Sequence, residues 1–281
     1  MAGHYPPMLA TRIATAAVLL AILLPAIFLF PPVAWGLVSL VFLAVGTHEW
    51  VLLLGQRAHA WRAAGLMVLA GLALLAWRQQ HDWPGGLVLA GCAALTLFWC
   101  VGGGWRLRHA NARAGGWPLA LVLLFGCWAA MYELRVLGVM PLLSSMAVVW
   151  VADVAAYFVG RAIGRRKLAP TISPGKSWEG AIGGFVFVAL CGALAALWPA
   201  LASSLPARLA AGLPWAIAML LLVALAMLSI VGDLHESLLK RQAGVKDSGT
   251  LLPGHGGVLD RIDALVPVMP AALLLYEVVR G

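Results

Sequence analysis

The sequence predicts an all-α polytopic integral membrane protein of about nine transmembrane helices, with a cytoplasm-facing polar site built from the C-terminal helices and their loops. Three observations carry that expectation. Of 281 residues, 63% are hydrophobic and 11% charged, roughly half the charged share of a soluble domain. Apolar runs recur at the length, about 20 residues, that a helix needs to cross a hydrocarbon core of about 30 Å. The few charges are also unevenly placed along the chain.

The runs fall at 10–30, 33–54, 61–77, 84–101, 117–138, 141–160, 178–198, 214–232 and 261–279. Ahead of the first stands only MAGHYPPMLATR, and its apolar stretch reaches Phe30 with no small-residue cleavage site. That pattern reads as a retained anchor and not a signal peptide. The third and fourth runs are the shortest. Connections at 102–116, 161–177 and 233–260 are long, and 199–213 (PALASSLPARLAAGL) reads as an external turn with Pro and Ser breakers. All four cysteines lie inside runs without C-x-x-C spacing, which points to packing roles and away from zinc sites or disulfides.

A net charge of +8 suggests nucleic acid until its distribution is read. Assigned to alternating loops, fifteen Lys and Arg residues fall on one side, and only Arg78, Arg135, Arg208 and Arg280 on the other. This positive-inside bias places the N-terminus and the three long connections in the cytoplasm and the C-terminus outside, and makes nucleic acid an unneeded partner. The basic segment 102–116 is expected to lie against anionic lipid headgroups. Seven of eleven acidic residues lie between 153 and 263. We therefore divide the chain into scaffold helices over 1–140 and a catalytic region over 141–281.

Nine of the thirty charged residues crowd into GDLHESLLKRQAGVKDSGTLLPGHGGVLDRID, residues 232–263. If the eighth helix continues through this segment, Asp233, Glu236, Ser237 and Lys240 share one face. That face is either a cation site or a salt-bridged helix end with Glu236 on Lys240. The glycines and proline between 244 and 257 exclude a regular helix, and LLPGHGG is apolar enough to fold back over a site. Gly254, Gly256 and Gly257 admit backbone conformations that let amides approach an anion. His255 among them is either a phosphate contact or a hydrogen-bonding turn residue. Asp260 and Asp263 begin the last run, where one acid at least would complement the helix dipole.

In SPGKSWEG, residues 173–180, Pro174-Gly175 predicts a turn, Ser177 an N-cap and Glu179 a first-turn acid, with Lys176 beside a helix start suited to phosphate. It is no P-loop, because the required earlier glycine position is Pro170. Asp153, deep in its run, is costly there unless paired. It shares a helix face with Tyr157 and Arg161. Glu49 and Glu133 also lie in runs, and are read as interhelical hydrogen-bond partners. Hard oxygen ligands without His/Cys clusters favour Mg²⁺, which needs only one or two carboxylates beside water and phosphate. Together these features describe a metal–phosphate site at the lipid–water boundary.

The block S-L-L-K-R-Q-A-G-V-K-D-S-G-T-L-L-P-G-H-G-G-V-L-D-R-I-D, residues 237–263, closely resembles the signature of the phosphatidate cytidylyltransferase (CDP-diacylglycerol synthase) family. GDLHES before it, SPGKSWEG, and DVAAYFVGR at 153–161 resemble family blocks as well; upstream only the pair Glu49-Trp50 does. Ser177 stands where Thr is frequent and Ala264 where Ser is, and neither change removes a charge.

The resemblance implies a multi-pass enzyme of a bacterial-type inner membrane that joins CTP to phosphatidic acid with Mg²⁺, releasing pyrophosphate. Its metal-binding acids correspond to Asp233 and Asp260. On that footing Asp263 and Asp247 support the metal, and Lys176, Lys240, Arg241, Lys246 and Arg261 neutralise phosphates. Ser173, Ser177, Glu179, Asp153 and Tyr157 bind substrate, and the turn carrying Gly254, His255, Gly256 and Gly257 holds part of the nucleotide or pyrophosphate. A second cation, monovalent or divalent, and a homodimer are compatible with the pattern. Two other functions were weighed: a CTP-dependent polyprenol- or phytol-type lipid kinase, and an ion-coupled transporter. The complete signature argues against the first, and the lack of paired repeats with midplane acids in both halves against the second.

Overall fold

The computed structural model describes residues 8–82 and 85–280, with side chains from Ala14 onward. Its helices are α1 (Met8–Phe28), α2 (Pro32–Leu53), α3 (Arg57–Arg78), α4 (Gly85–Arg108), α5 (Gly116–Leu137), α6 (Val139–Ile163), α7 (Trp178–Leu197), α8 (Leu205–Gly212), α9 (Trp215–Ala243), α10 (Leu259–Ile262) and α11 (Leu265–Arg280). Between α6 and α7 stands an antiparallel hairpin of β1 (Lys167–Ala169) and β2 (Ser173–Ser177), with Lys167 opposite Ser177.

Eight spans among the described residues are long and apolar enough to cross a membrane, α10 and α11 forming one of them, Leu259–Arg280. The remaining expected run is α1, whose described apolar stretch, Ala14–Phe28, is shorter than a full crossing. The protein is therefore an all-α multi-pass membrane protein. The runs that looked short are full-length: α3 has 22 residues and α4 has 24. α3 begins earlier, at Arg57, and α4 continues past its apolar run to Arg108, so part of the expected 102–116 loop is helix. Within α4, residues Phe98–Gly103 form a π-helical turn.

Three further expectations change. Segment 199–213 is not a plain turn. Ser204 accepts a hydrogen bond from the Ala207 amide and Pro206 stands in the first turn, so the supposed breakers start α8. Leu205 and Leu209 on its inner face are fully buried. Pro174-Gly175, expected as a turn, lies within β2. The eighth helix continues to Ala243, where Gly244 in the left-handed region (φ 72°) ends it.

Burial centres on α2, α5 and α11. The indole Nε1 of Trp35 donates to the Met131 carbonyl at 3.3 Å and that of Trp128 to the Gly36 carbonyl at 3.0 Å, so two large buried rings keep their polar atoms satisfied. Arg135 is buried because its guanidinium donates to the carbonyls of Ile27 and Phe30, each at 2.9 Å, closing the C-terminal end of α1. Helices α6 and α7 touch through small residues: a Cβ on Gly180 would lie 2.7 Å from the Ala156 carbonyl, and one on Gly184 2.9 Å from that of Ala152. Such close backbone approach drives association where lipid supplies no hydrophobic force.

The same constraint seats α9 on α11, since a Cβ on Gly232 would lie 2.5 Å from the Asp263 carbonyl oxygen and 2.8 Å from the Pro267 ring. Gly232→Ala must push the two helices apart, at a cost of about 1–3 kcal/mol. The expected result is a lower thermal-unfolding midpoint in detergent, with the helical circular-dichroism signal retained.

Candidate active site

The ends of α2, α6 and α9, the hairpin, the starts of α7 and α10, and the 244–258 segment all meet at one end of the bundle. Two adjoining clusters form there. Asp233 is the hub of the first. Its Oδ2 is ion-paired with Lys176, delivered by β2, and its Oδ1 accepts from Ser237 Oγ at 3.3 Å. Asp153 and Asp263 lie within electrostatic range of this carboxylate. A cleft of about 420 Å³ opens beside it, lined by Asp153, Tyr157, Arg161, Ser173, Lys176 and Asp233. Ser177 and the small residues of the α6–α7 contact also line it, so close glycine packing makes its floor. The Tyr157 hydroxyl accepts from Arg161 at 3.3 Å, and the two stand one helical turn apart as expected.

The second cluster belongs to Lys240, one turn after Glu236. Its ammonium bridges Glu236 Oε2 at 2.5 Å and Asp260 Oδ1 at 2.6 Å. Asp260 Oδ2 accepts from the Ser248 amide at 2.9 Å, the Gly257 amide at 2.8 Å and Ser248 Oγ at 3.1 Å. Glu49, from α2, accepts from the amides of Val258 (3.1 Å) and Leu259 (2.8 Å) and from Ser248 Oγ (3.0 Å). Gly257 has no alternative here, because a Cβ would fall 2.6 Å from Glu49 Oε2 and onto Ser248 Oγ. Gly254 and Gly256 have φ of 75° and 82°, which folds the turn back so that Leu252 pairs with Gly256.

The glycine-rich turn does bind anions with its amides, but the anions are the protein's own carboxylates, Glu49 and Asp260. In this structure the Gly257 amide is taken by Asp260 Oδ2. His255 serves the turn: its amide donates to the Leu252 carbonyl at 2.8 Å, and its carbonyl accepts from the Arg261 guanidinium. Arg241 donates to the Ile172 carbonyl at 3.3 Å and so ties the hairpin to α9. Glu179 receives the amides of Arg165 (3.0 Å) and Arg166 (3.2 Å), and Ser177 caps α7 through the Gly180 amide at 3.1 Å. Lys246 and Asp247 are exposed at the rim.

Glu49 is the site residue that sequence reasoning placed in the scaffold. Its only signal was an acid in an apolar run with Trp50 beside it, and the partner amides lie 209 and 210 residues further on. Glu133 does not reach this end; it pairs with Arg78 at 3.1 Å on the opposite one.

The donor set fits Mg²⁺. Five carboxylates (Asp153, Asp233, Glu236, Asp260 and Asp263) gather around Lys176, Lys240 and Arg161, leaving negative charge in excess. Glu236 Oε1 is buried with no donor among the described residues. Every candidate ligand is a hard oxygen. Among the described residues no group of three His, Cys, Asp or Glu side chains is placed to hold a metal ion by itself.

A cytidylyltransferase family model matches residues 10–279. The chain belongs to the cytidylyltransferase family. It is 40% identical over 284 aligned positions to a phosphatidate cytidylyltransferase of Pseudomonas aeruginosa, covering 95% of this chain and 97% of that one. A phosphatidate cytidylyltransferase of Brucella suis is 42% identical over 245 positions, 85% and 82% of the two chains. One from Mycobacterium bovis is 33% identical over 277, 91% and 84%. Membership makes this cytidylyltransferase a nucleotidyl-transferring enzyme, and its relatives match across the N-terminal helices as well as the signature. That breadth agrees with Glu49 reaching the signature turn from α2.

Glu49→Ala strands the two buried amides of Val258 and Leu259, at roughly 1–3 kcal/mol for each unsatisfied group, while the Ser248 hydroxyl keeps Asp260 Oδ2. We expect faster hydrogen–deuterium exchange across 248–260 and a loss of turnover, with exchange in α5 unchanged.

Proposed function

We propose that this cytidylyltransferase joins CTP to phosphatidic acid, giving CDP-diacylglycerol and pyrophosphate, on the cytoplasmic side of a bacterial inner membrane. The observation that carries this reading is the ion-rich cleft beside Asp233 at the end of membrane-crossing helices, in a chain whose relatives bear that activity by name. One substrate is an anion anchored in the bilayer and the other arrives from water, so they meet only at such a boundary. The fifteen-to-four distribution of Lys and Arg supports the orientation.

A phosphate oxygen of the lipid attacks the α-phosphorus of CTP. The new O–P bond forms as the bond from the α-phosphorus to the bridging oxygen breaks, and pyrophosphate carries that electron pair away. The lipid phosphate is already ionised near neutral pH, so no strong base is required. The barrier is repulsion between two polyanions, and the protein lowers it by neutralisation and alignment. Lys176 and Lys240 would do this, Lys176 held on Asp233 and Lys240 on Glu236 and Asp260, carboxylates that an arriving phosphate can replace. Arg161 and Tyr157 line the cleft, and Lys246 and Arg261 would neutralise phosphates from the exposed segment that follows α9. Asp233 and Asp260 would hold Mg²⁺, with Asp263 and Asp247 in support; the ion supplies Lewis-acid charge compensation on the phosphates. Glu49 and Ser248 fix the turn from which Asp260 projects.

CTP labelled at the α-phosphorus should transfer its label to the lipid product, whereas γ-label should appear only in pyrophosphate. Label entering lipid from the γ position would instead mean a kinase. Asp260→Asn and Asp233→Asn should each lower turnover by at least about 10²-fold while the protein stays folded in detergent. Chelation with EDTA should stop turnover and added Mg²⁺ restore it; near-normal rates in either variant would remove that residue from the metal assignment.

A further inference from the structure

The end of the bundle opposite the active site carries seven charged residues among those described: Arg78, Asp82, Glu133, Arg135, Arg208, Glu277 and Arg280. Arg135 is consumed by the carbonyls that end α1. The other six all line one cavity of about 570 Å³. An apolar groove, also about 570 Å³, runs from it along α4 and α5, past Gly91, Leu95, Phe125 and Ala129. The two are continuous, since Val88, Glu133 and Leu273 line both.

A charged chamber at the helix ends opening into an apolar channel of equal size has the shape and polarity of a phospholipid. We propose that it binds one, in the leaflet opposite the active site, with a zwitterionic headgroup of the phosphoethanolamine type. The charge pattern selects this headgroup. Three arginines face three carboxylates, so a purely anionic head would meet as much repulsion as attraction. A phosphodiester joined to an ammonium meets both signs.

Within the chamber the cations differ. Arg78 is engaged by Glu133 at 3.1 Å and Asp82 at 3.0 Å. Arg208 has no carboxylate within ion-pair distance among the described residues, and its guanidinium lies over the Tyr276 ring, 5.8 Å from the centroid. Arg280 makes only a 3.4 Å contact with Glu277. Arg208 and Arg280 are therefore the phosphate donors, in the fork geometry that suits phosphate oxygens. Glu277 receives the ammonium, and one acyl chain occupies the groove between α4 and α5.

The site stands apart from catalysis, so its test does not depend on the substrate reading. Delipidated full-length protein in detergent is titrated with dioleoylphosphatidylethanolamine or dioleoylphosphatidylglycerol, and lipid adducts are counted by native mass spectrometry. One tight ethanolamine-lipid adduct is expected, with glycerol lipid bound about tenfold more weakly; the doubly substituted Arg208→Ala/Arg280→Ala protein should lose about tenfold in ethanolamine-lipid affinity. Glu277→Gln should weaken the ethanolamine lipid and strengthen the glycerol lipid, from which one repelling carboxylate is removed, and this keeps the test open if the arginine variant fails to fold. Equal binding of the two lipids, or adducts indifferent to Glu277→Gln, overturns the proposal.

Discussion

Everything at the functional end of this protein depends on two carboxylates that hold backbone amides. Glu49 takes the amides of Val258 and Leu259, and Asp260 those of Ser248 and Gly257, with the Ser248 hydroxyl shared between them. A glycine-rich segment of this kind has no ladder or helix to order it, and in a membrane-boundary setting its unpaired amides would be costly. Charge-assisted hydrogen bonds remove that cost and set the position of Asp260. Through Lys240 the same carboxylate reaches Glu236 on α9, which ties the turn and the start of α10 to the end of α9.

Close packing of small residues provides the second constraint. Gly180 and Gly184 bring α7 onto α6, and Gly232 brings α9 onto α11. The first contact makes the floor of the cleft, and the second brings Asp233 beside Asp263. Side chains of ordinary size at these positions would separate the carboxylates and dilute the local charge. The hairpin then carries Lys176 over Asp233, and Arg241 ties it back through the Ile172 carbonyl. Several residues that looked like phosphate ligands thus position the residues that are placed to meet phosphate.

The bundle treats its two ends differently. Around the active-site cleft and Lys240, five carboxylates gather on three cations, a local composition that suits a divalent ion and phosphates. At the other end arginines and carboxylates balance, beside an apolar channel. Both arrangements are ways of making charge tolerable next to lipid, and each implies a different guest.

Much of this was legible in the chain itself. Hydrophobic run length determined the membrane class and the helix positions, because the bilayer thickness sets a length that local composition reports directly. The signature block determined the family and singled out Asp233, Asp260 and Lys240, since charge in so apolar a chain has few other uses. Boundaries were less legible. The extension of α9 to Ala243 and of α4 to Arg108 is helix outside the apolar run, and α8 was hidden by Ser and Pro residues that serve equally as breakers and as starts. What only the tertiary structure decided is partnership. Glu49 meets amides about two hundred residues away, the turn's amides bind the protein's own acids, and six charges from four helices and one connection share a single chamber. A sequence reports the chemistry and spacing of neighbours along the chain, whereas these pairings arise from helices packing across it, and no local pattern encodes which distant donor a buried carboxylate will find.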